Sequence, residues 1–517
     1  MAFINTDIEK GLGDLLDRNV EVQPDAPCLY YGESIITFAD IHRNAERLAI
    51  ALSHSGIQTG DRVAVMMLNR PEMVYAFFAC FRLGVLVVPL NTRYKRREIA
   101  YALEHSGARA LIVGANFFTT VKPLCAKEEL HEHTIIVDGA EQGIEDWIDY
   151  DHFVNQSYDA IEWPEVHPDL PAVMLHTSGS TANPKGVIHS HRTLFHVARM
   201  NCNVYQVDKL VGPSLVYLSI CYIGGLGWQL LRNMFAGKPC VFLLKKEPGE
   251  LLKAFAKHKC SEIVLLPTDA ILMIEHPDAA KMDWSSLMVM GSGGDKVSPD
   301  LQDAFYKLTG VRITEGYGMT ECGPATVNLV YGPKVVGSMG KAVDGVELRI
   351  TNAAKEVLPN GEVGDLWVKS PGNMVEYWNN PQTTAETLID GWLKTGDLAT
   401  CDENGYYWFH GRSKLIIVRG GSNIAPQEVE EVIDHHPAVM SCCVVGVPDP
   451  KWGEIVRAYV ELHQDYSPKP TEDEIIEYAR HHIATYKSPE QVILVDEMPT
   501  NSTGKMDRAR MRKMATE

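Results

Sequence analysis

Apolar positions in the first 170 residues follow two alternating periods, one helical and one strand-like. Apolar residues recur every three or four positions between Thr37 and Gly56, which predicts a helix that Thr37 caps. Its expected buried face consists of Ile41, Ala45, Leu48 and Leu52. Apolar runs at 62–67 and 85–89 flank a second helical pattern at 71–83. The strand–helix–strand order predicts parallel strands.

The alternation continues along the chain. A helical pattern at 98–106 precedes an apolar run at 110–113. Further strands are predicted at 171–175, 240–244, 262–266, 287–290 and 311–314. The pattern predicts an α/β fold, with a large multi-layer N-terminal domain of strand–helix sheets.

The pattern changes after about residue 411. A strand is predicted at 415–418, a helix from Pro426, and strands at 442–447 and 457–462. A last helix begins with the capping box of Thr471 and Glu474. We therefore predict a large domain at 1–411 and a small α+β domain at 412–517.

Composition and charge argue against several classes of partner, location and metal site. The chain of 517 residues carries a net charge of −19, which disfavours nucleic acid and anionic membranes as partners. Its first twelve residues contain Asp7 and Glu9 but no apolar signal core, and charged residues interrupt the apolar stretch at 63–90. The eleven cysteines include no C-x-x-C motif, and no histidine pair has a third ligand at a recognisable spacing. We expect a cytoplasmic protein with reduced thiols, no transmembrane segment and no metal cluster of its own.

Candidate chemistry begins at residues 176–186, where four hydroxyl side chains, two glycines and Lys185 follow the predicted strand at 171–175. Such a loop can hold phosphate through backbone N–H groups, hydroxyls and a mobile positive charge. It is not the ordinary P-loop, because Lys185 is followed by Gly186 rather than by a hydroxyl residue.

Two more glycine-rich segments follow predicted strands, at 291–294 and 315–321, and we expect them to be ligand-binding loops. In the second, Tyr317 can stack on a base, Thr320 can reach a phosphate, and Glu321 can hold Mg²⁺. Asp397 lies on a predicted tight turn and has the chemistry to bind ribose hydroxyls. Residues 216–228 contain three glycines among aromatic residues, which fits either a packed loop or the wall of a ligand channel.

Together these motifs resemble the adenylate-forming superfamily, in particular the acyl-CoA synthetases, over almost the whole chain. The segment at 177–186 is similar to that family's phosphate loop, and 316–321 is similar to its Tyr-Gly-x-Thr-Glu motif. Residues 395–397, 411–412 and 504–505 match further motifs in the family order.

The resemblance implies a two-step reaction. A carboxylate attacks the α-phosphate of ATP and releases pyrophosphate, and the thiol of CoA then displaces AMP from the acyl adenylate. By resemblance, the catalytic residues are Lys505, Thr320 and Glu321, and Glu321 also binds Mg²⁺. The residues expected to bind ATP are Thr177, Ser178, Gly179, Ser180, Thr181, Lys185, Gly293, Glu315, Gly316, Tyr317, Asp397 and Arg412.

The resemblance also implies that the small domain moves. It would rotate at Lys414 after adenylation, which removes Lys505 from the site. The residues expected to contact CoA are Lys245, Gly420, Gly421 and Ser422.

The acid substrate is expected to contact Tyr222, Ile223, Gly224 and Gly318. No acidic residue lies at 218–225, which favours an acid with an uncharged tail, and the clustered glycines leave space for a chain or ring. We expect a medium- or long-chain fatty acid, with an aryl or alicyclic acid as the alternative. A ligase that loads a separate carrier protein and a non-catalytic binding protein stay open, as does assembly into a homodimer. The chain departs from the family pattern at Ala182, Asp295 and Leu415.

Overall fold

The computed structural model describes most of the chain as two compact units. The described residues are 8, 10–125, 130, 133–142, 144, 147–177, 184–294, 297–332, 334–412, 415, 417–419, 422–424, 426–449, 452–483, 485–501 and 505–515. The first unit comprises Met1–Leu348 and Val368–Leu393, and the second comprises Arg349–Trp367 and Lys394–Glu517. This division does not test the predicted boundary between two domains at residue 411, which stays a prediction.

Two sheets form the framework of the first unit, and among the described residues the first of them has eight strands. In spatial order they are Glu376–Tyr377, Lys185–Ser190, Pro171–Thr177, Leu86–Pro89, Arg62–Met66, Ala110–Gly114, Thr134–Val137 and Ile148–Asp149. The strand Arg62–Met66 pairs in parallel with both of its neighbours, as the strand–helix–strand pattern predicted.

The second sheet of the first unit has nine strands among the described residues. In order they are Lys341–Ala342, Gly323–Val327, Ile313–Met319, Val289–Gly293, Glu262–Leu265, Ser214–Val216, Cys240–Phe242, Pro27–Tyr31 and Ser34–Thr37. Separately, Leu388–Ile389 forms a hairpin with Trp392–Leu393.

Helices cover these sheets because their apolar stripes match the sheet faces. The helix Phe38–His54 begins with a capping box at Thr37 and buries the predicted face. Pro71–Leu83 starts with proline and ends before Gly84, whose φ of 64° is the left-handed conformation that glycine tolerates. The remaining helices of this unit are Gly13–Val22, Arg96–Ser106, Ala115–Cys125, Tyr150–Val154, His191–Tyr205, Ile223–Gly225, Leu226–Leu231, Arg232–Ala236, Pro248–His258, Pro267–Ile274, Pro299–Thr309 and Pro381–Thr387.

The second unit contains strands and helices in the predicted α+β pattern. Gly364–Lys369 lies between Glu347–Thr351 and Trp392–Cys401, which forms a hairpin with Tyr407–Arg412. A further sheet contains Ser422–Ile424, Ile417–Arg419, Gly453–Leu462, Val439–Asp449 and Gln491–Val495. Its helices are Pro426–Asp434, Glu472–His482 with the predicted capping box, and Arg508–Met514.

Three local predictions are wrong. The glycine-rich segments near Gly293 and Gly316 are strands rather than loops, because each forms backbone hydrogen bonds with its neighbour. Asp397 lies within the strand Trp392–Cys401 at a bulge, while the tight turn is made by Asp390 and Gly391. The packed loop after Tyr222 is wrong, because the glycine cluster is helical and includes a π-helical segment at Leu226–Leu231. The alternative, the wall of a ligand channel, stays a prediction.

Candidate active site

The predicted phosphate loop closes an antiparallel β-hairpin, which we call the phosphate hairpin. Its strands are Pro171–Thr177 and Lys185–Ser190, and Thr177 faces Lys185 across the pair. The loop therefore lies at a strand end, as predicted, and a strand rather than a helix follows it. We therefore expect an anion there to depend on loop N–H groups, hydroxyls and Lys185 rather than on a helix dipole.

Aromatic residues anchor the base of the phosphate hairpin. The Tyr101 hydroxyl donates to the Pro184 carbonyl at 3.0 Å, and the Tyr101 ring stacks on His105 with centroids 5.2 Å apart. The His105 ring contacts His176, and burial lowers the pKa of His176 to about 4, so this imidazole is neutral at pH 7. The Trp378 backbone N–H donates to the Gly186 carbonyl at 2.8 Å. These contacts fix where the loop enters and leaves the sheet.

Thr320 and Glu321 lie between two strands of the nine-stranded sheet, and we call them the acidic turn. The backbone N–H of Met374 donates to the Glu321 carbonyl at 2.7 Å, and the Tyr377 hydroxyl donates to Glu321 Oε1 at 3.0 Å. The Lys185 ammonium lies 4.6 Å from the centroid of the Tyr377 ring. The fold thus brings Lys185 to the ring and Glu321 to the hydroxyl of one aromatic residue.

His189 provides a second link between the phosphate hairpin and the acidic turn. Its Nε2 lies 2.7 Å from the Thr320 carbonyl oxygen and its Nδ1 lies 3.0 Å from Thr193 Oγ1. A carbonyl can only accept, so Nε2 carries the proton and Nδ1 accepts from the threonine hydroxyl. Burial lowers the pKa of His189 to about 4, so the ring is neutral at pH 7.

The predicted adenine-binding residues lie on two adjacent parallel strands, where Ser292 faces Glu315 and Gly293 faces Gly316. A Cβ at Gly293 would lie 2.8 Å from the Gly316 carbonyl, so this position requires glycine. Gln302 donates to Glu315 Oε1 at 3.0 Å and holds the buried carboxylate in place. Tyr317 lies one residue further along the strand, facing Thr326.

Of the predicted acid-binding residues, Tyr222, Ile223 and Gly224 lie at the start of the helical segment from Ile223 to Ala236, and Gly318 lies on the strand Ile313–Met319. A Cβ at Gly225 would lie 2.2 Å from the Ser219 carbonyl, so this glycine serves close packing. Among the described residues, a Cβ at Gly224 would meet only Leu218 within 4 Å, and Gly318 lies against the Trp228 ring. The Trp228 indole N–H is buried and has no hydrogen-bond partner among the described residues.

In the second unit, Asp397 and Arg412 face each other across an antiparallel pair. Arg412 Nε donates to Asp397 Oδ1 at 3.0 Å, and the Asp397 side chain is 4% exposed whereas that of Arg412 is 60% exposed. Lys505 donates through its backbone N–H to Asn501 Oδ1 at 3.1 Å. Its carbonyl accepts from the Asn501 N–H at 2.7 Å.

Several predicted site residues lie outside the described part of the chain. They are Ser178, Gly179, Ser180, Thr181, Lys414, Gly420 and Gly421, as well as the departures at Ala182 and Asp295. Ser422 is the first residue of a strand, and Lys245 is exposed just after the strand Cys240–Phe242.

Sequence reasoning missed Tyr101, His189, Gln302 and Tyr377. None of these residues belongs to a sequence motif that by itself indicates a chemical function. Each contacts a site residue at least thirteen positions away, so no local spacing signals the contact.

Two known protein families match successive parts of the chain. Residues 16–378 match the AMP-binding enzyme family, and residues 428–505 match the AMP-binding enzyme C-terminal domain. The chain is similar to the feruloyl-CoA synthase of an Amycolatopsis species, with 33% identity over 98% of this chain and 99% of that protein. It is 31% identical to a long-chain-fatty-acid–CoA ligase of Bacillus subtilis, over 98% of this chain and 95% of that protein. The solved structure of the anthranilate CoA ligase AuaEII with anthranoyl-AMP aligns with a TM-score of 0.90 and 27% identity, over 100% of this chain and 99% of that one. The chain therefore belongs to the AMP-binding enzyme family, and within the adenylate-forming superfamily it is an acid–thiol ligase of the acyl-CoA ligase type.

Proposed function

We propose that the protein activates an organic carboxylic acid with ATP and transfers the acyl group to CoA. In the first step a carboxylate oxygen attacks the α-phosphorus, the bond to the bridging oxygen breaks, and pyrophosphate leaves. In the second step the CoA sulfur attacks the acyl carbon and AMP leaves, so that no covalent enzyme intermediate is needed. The proposal depends mainly on the observation that Lys185 and Glu321 both contact Tyr377. A cation and a carboxylate so close together suit the binding of a nucleoside triphosphate.

Roles for the described residues follow from their chemistry. Lys185 and Thr177 would hold the pyrophosphate half of ATP, and Thr320 would contact the α-phosphate. Glu321 fits a magnesium site, because it is a carboxylate only 8% exposed and Mg²⁺ binds through one or two carboxylates plus substrate phosphates. When bound, the ion would neutralise charge on the departing pyrophosphate.

Asp397 and Arg412 would bind the ribose hydroxyls, and their mutual hydrogen bond holds the buried carboxylate in one orientation. Lys505 would stabilise the charge that develops during adenylation. We propose that rotation of the C-terminal domain at Lys414 then withdraws Lys505 and presents Gly420, Gly421 and Ser422 to CoA.

For the acid, we keep a medium- or long-chain fatty acid as the first proposal. The absence of acidic residues at 218–225 and the space beside Gly224 support an uncharged tail. An aryl acid is the second candidate, and the buried Trp228 N–H favours it, because a polar ring substituent could accept that hydrogen bond.

We also propose a cytoplasmic location, which the eleven free cysteines support. No helix among the described residues has both the length and the apolar character needed to span a bilayer.

The function is tested by ATP–pyrophosphate exchange over a panel of fatty, aryl and alicyclic acids, followed by AMP release with and without CoA. We expect exchange with one acid class and AMP release that requires CoA. Exchange without CoA-dependent AMP release would instead support transfer to a carrier protein. No exchange with any acid would support the non-catalytic binding protein.

A further inference from the structure

Tyr377 contacts two groups of opposite charge that belong to different sheets. Its hydroxyl donates to Glu321 Oε1 at 3.0 Å, and its ring centroid lies 4.6 Å from the Lys185 ammonium. The side chain is almost fully buried, so both interactions operate with little screening by water.

The hydroxyl contact orients Glu321. A phenol that donates to a carboxylate makes a charge-assisted hydrogen bond, which is about twice as strong as a neutral one. Burial and the nearby carboxylate raise the pKa of Tyr377 far above its ordinary value, so the phenol keeps its proton at physiological pH. The segment that carries Tyr377 also holds the Glu321 backbone, through Met374.

The ring contact places Lys185. An ammonium over an aromatic face gains a cation–π attraction that strengthens as water is excluded. The Tyr377 backbone is fixed on the phosphate hairpin, because Tyr377 pairs with Val187 and Glu376 pairs with Ile188. A change at the acidic turn can therefore reach the hairpin through one rigid side chain.

We propose that Tyr377 is a positioning residue that couples the phosphate hairpin to the acidic turn, its hydroxyl orienting Glu321 for a divalent cation and its ring seating Lys185 for the phosphates. The inference rests on the proposed use of ATP and Mg²⁺ at this site. It assigns separate tasks to two parts of one side chain, and substitutions can separate them.

Tyr377→Phe removes only the hydroxyl and keeps the ring beneath Lys185. The Mg²⁺ concentration for half-maximal ATP binding, measured by calorimetry in Mg²⁺ titrations, should rise about tenfold, while ATP affinity at saturating Mg²⁺ changes less than about threefold. Tyr377→Leu also removes the ring, so ATP affinity at saturating Mg²⁺ should fall by a further factor of about five.

Glu321→Gln supplies the reciprocal test. In that background, Tyr377→Phe should cause no further change in Mg²⁺ dependence, since the carboxylate that the phenol orients is gone. Tyr150→Phe, at a buried tyrosine remote in sequence from this cluster, is the matched control and should bind ATP and Mg²⁺ like the wild type.

The outcomes separate the two proposals. Wild-type Mg²⁺ dependence in Tyr377→Phe, with a wild-type thermal melting curve, would overturn the coupling role alone. Equal additional loss from Tyr377→Phe in the Glu321→Gln background would do the same. Failure of the wild-type protein to bind ATP at any Mg²⁺ concentration would overturn the proposed function itself.

Discussion

Acid should destabilise this protein through histidines that are buried in the neutral form. Burial lowers the pKa of His189 and of His176 to about 4, and that of His191 to about 3. His189 is the best probe of the three, because its two hydrogen bonds assign its tautomer and link the phosphate hairpin to Thr320.

The magnitude follows from proton linkage. A histidine in the unfolded chain has a pKa of about 6.5, so at pH 5.5 it is about 90% protonated, while His189 in the folded protein stays neutral. The unfolded state then binds more protons, and stability falls as the pH drops below about 6.5, with the loss complete near pH 4. Between pH 7.5 and 5.5 the loss is about 1.4 kcal/mol for each such histidine, or about 4 kcal/mol for all three.

His189→Gln tests this reasoning, because the amide keeps an N–H donor for the Thr320 carbonyl but cannot titrate. Free energies of unfolding from urea titrations at pH 7.5 and 5.5 should show a smaller acid-induced loss than the wild type, by about 1.4 kcal/mol. The exposed His152→Gln is the control and should keep the full wild-type loss. The reasoning is refuted if His189→Gln and the wild type lose the same stability on acidification.

Three further predictions concern binding, stability and catalysis. Gln302→Leu should raise the KM for ATP about tenfold and change the KM for the acid little, because Glu315 loses its amide partner. Steady-state kinetics with each substrate varied in turn would measure both values. Wild-type KM values for both substrates would contradict the prediction. Arg232→Met should lower the free energy of unfolding by about 3–5 kcal/mol, because it leaves the charged Glu262, which is 1% exposed, without its ion-pair partner. Urea titration should show that the double variant with Glu262→Leu regains stability. Equal instability of the single and the double variant would argue against the ion pair as the cause. Lys505→Ala should reduce ATP–pyrophosphate exchange by more than about a hundredfold while sparing thioester formation from supplied acyl adenylate, and equal loss of both half-reactions would contradict the domain-rotation mechanism.

Helix limits and strand direction were determined by the sequence. The helix Pro71–Leu83 has the predicted bounds, Thr37 caps its helix as expected, and the predicted capping box at Thr471 forms. These features depend on residues within one or two turns of each other, and apolar periodicity reports which face will be buried. The parallel pairing of Arg62–Met66 with Leu86–Pro89 follows because a helix connects them.

The family and the type of reaction were also accessible from the sequence. Five motifs in a fixed order carry more information than any one of them, and the family match confirms that interpretation. The individual roles assigned to the site residues stay predictions.

Tertiary structure decided how the glycine-rich segments are used. Gly293 and Gly316 lie on hydrogen-bonded strands because partner strands are available beside them, and composition alone cannot show that. The glycines after Tyr222 lie in a helix, where Gly225 packs directly on the Ser219 backbone.

Tertiary structure also decided which residues position the site. Tyr377 reaches Glu321 across 56 positions, and His189 reaches Thr320 across 131. Hydrogen bonds and cation–π contacts act over only a few ångströms, so such pairs exist only once folding has brought the strands together. The sequence by itself determined which chemical groups this protein has, and the packing of the two sheets of the first unit decided which of those groups meet there.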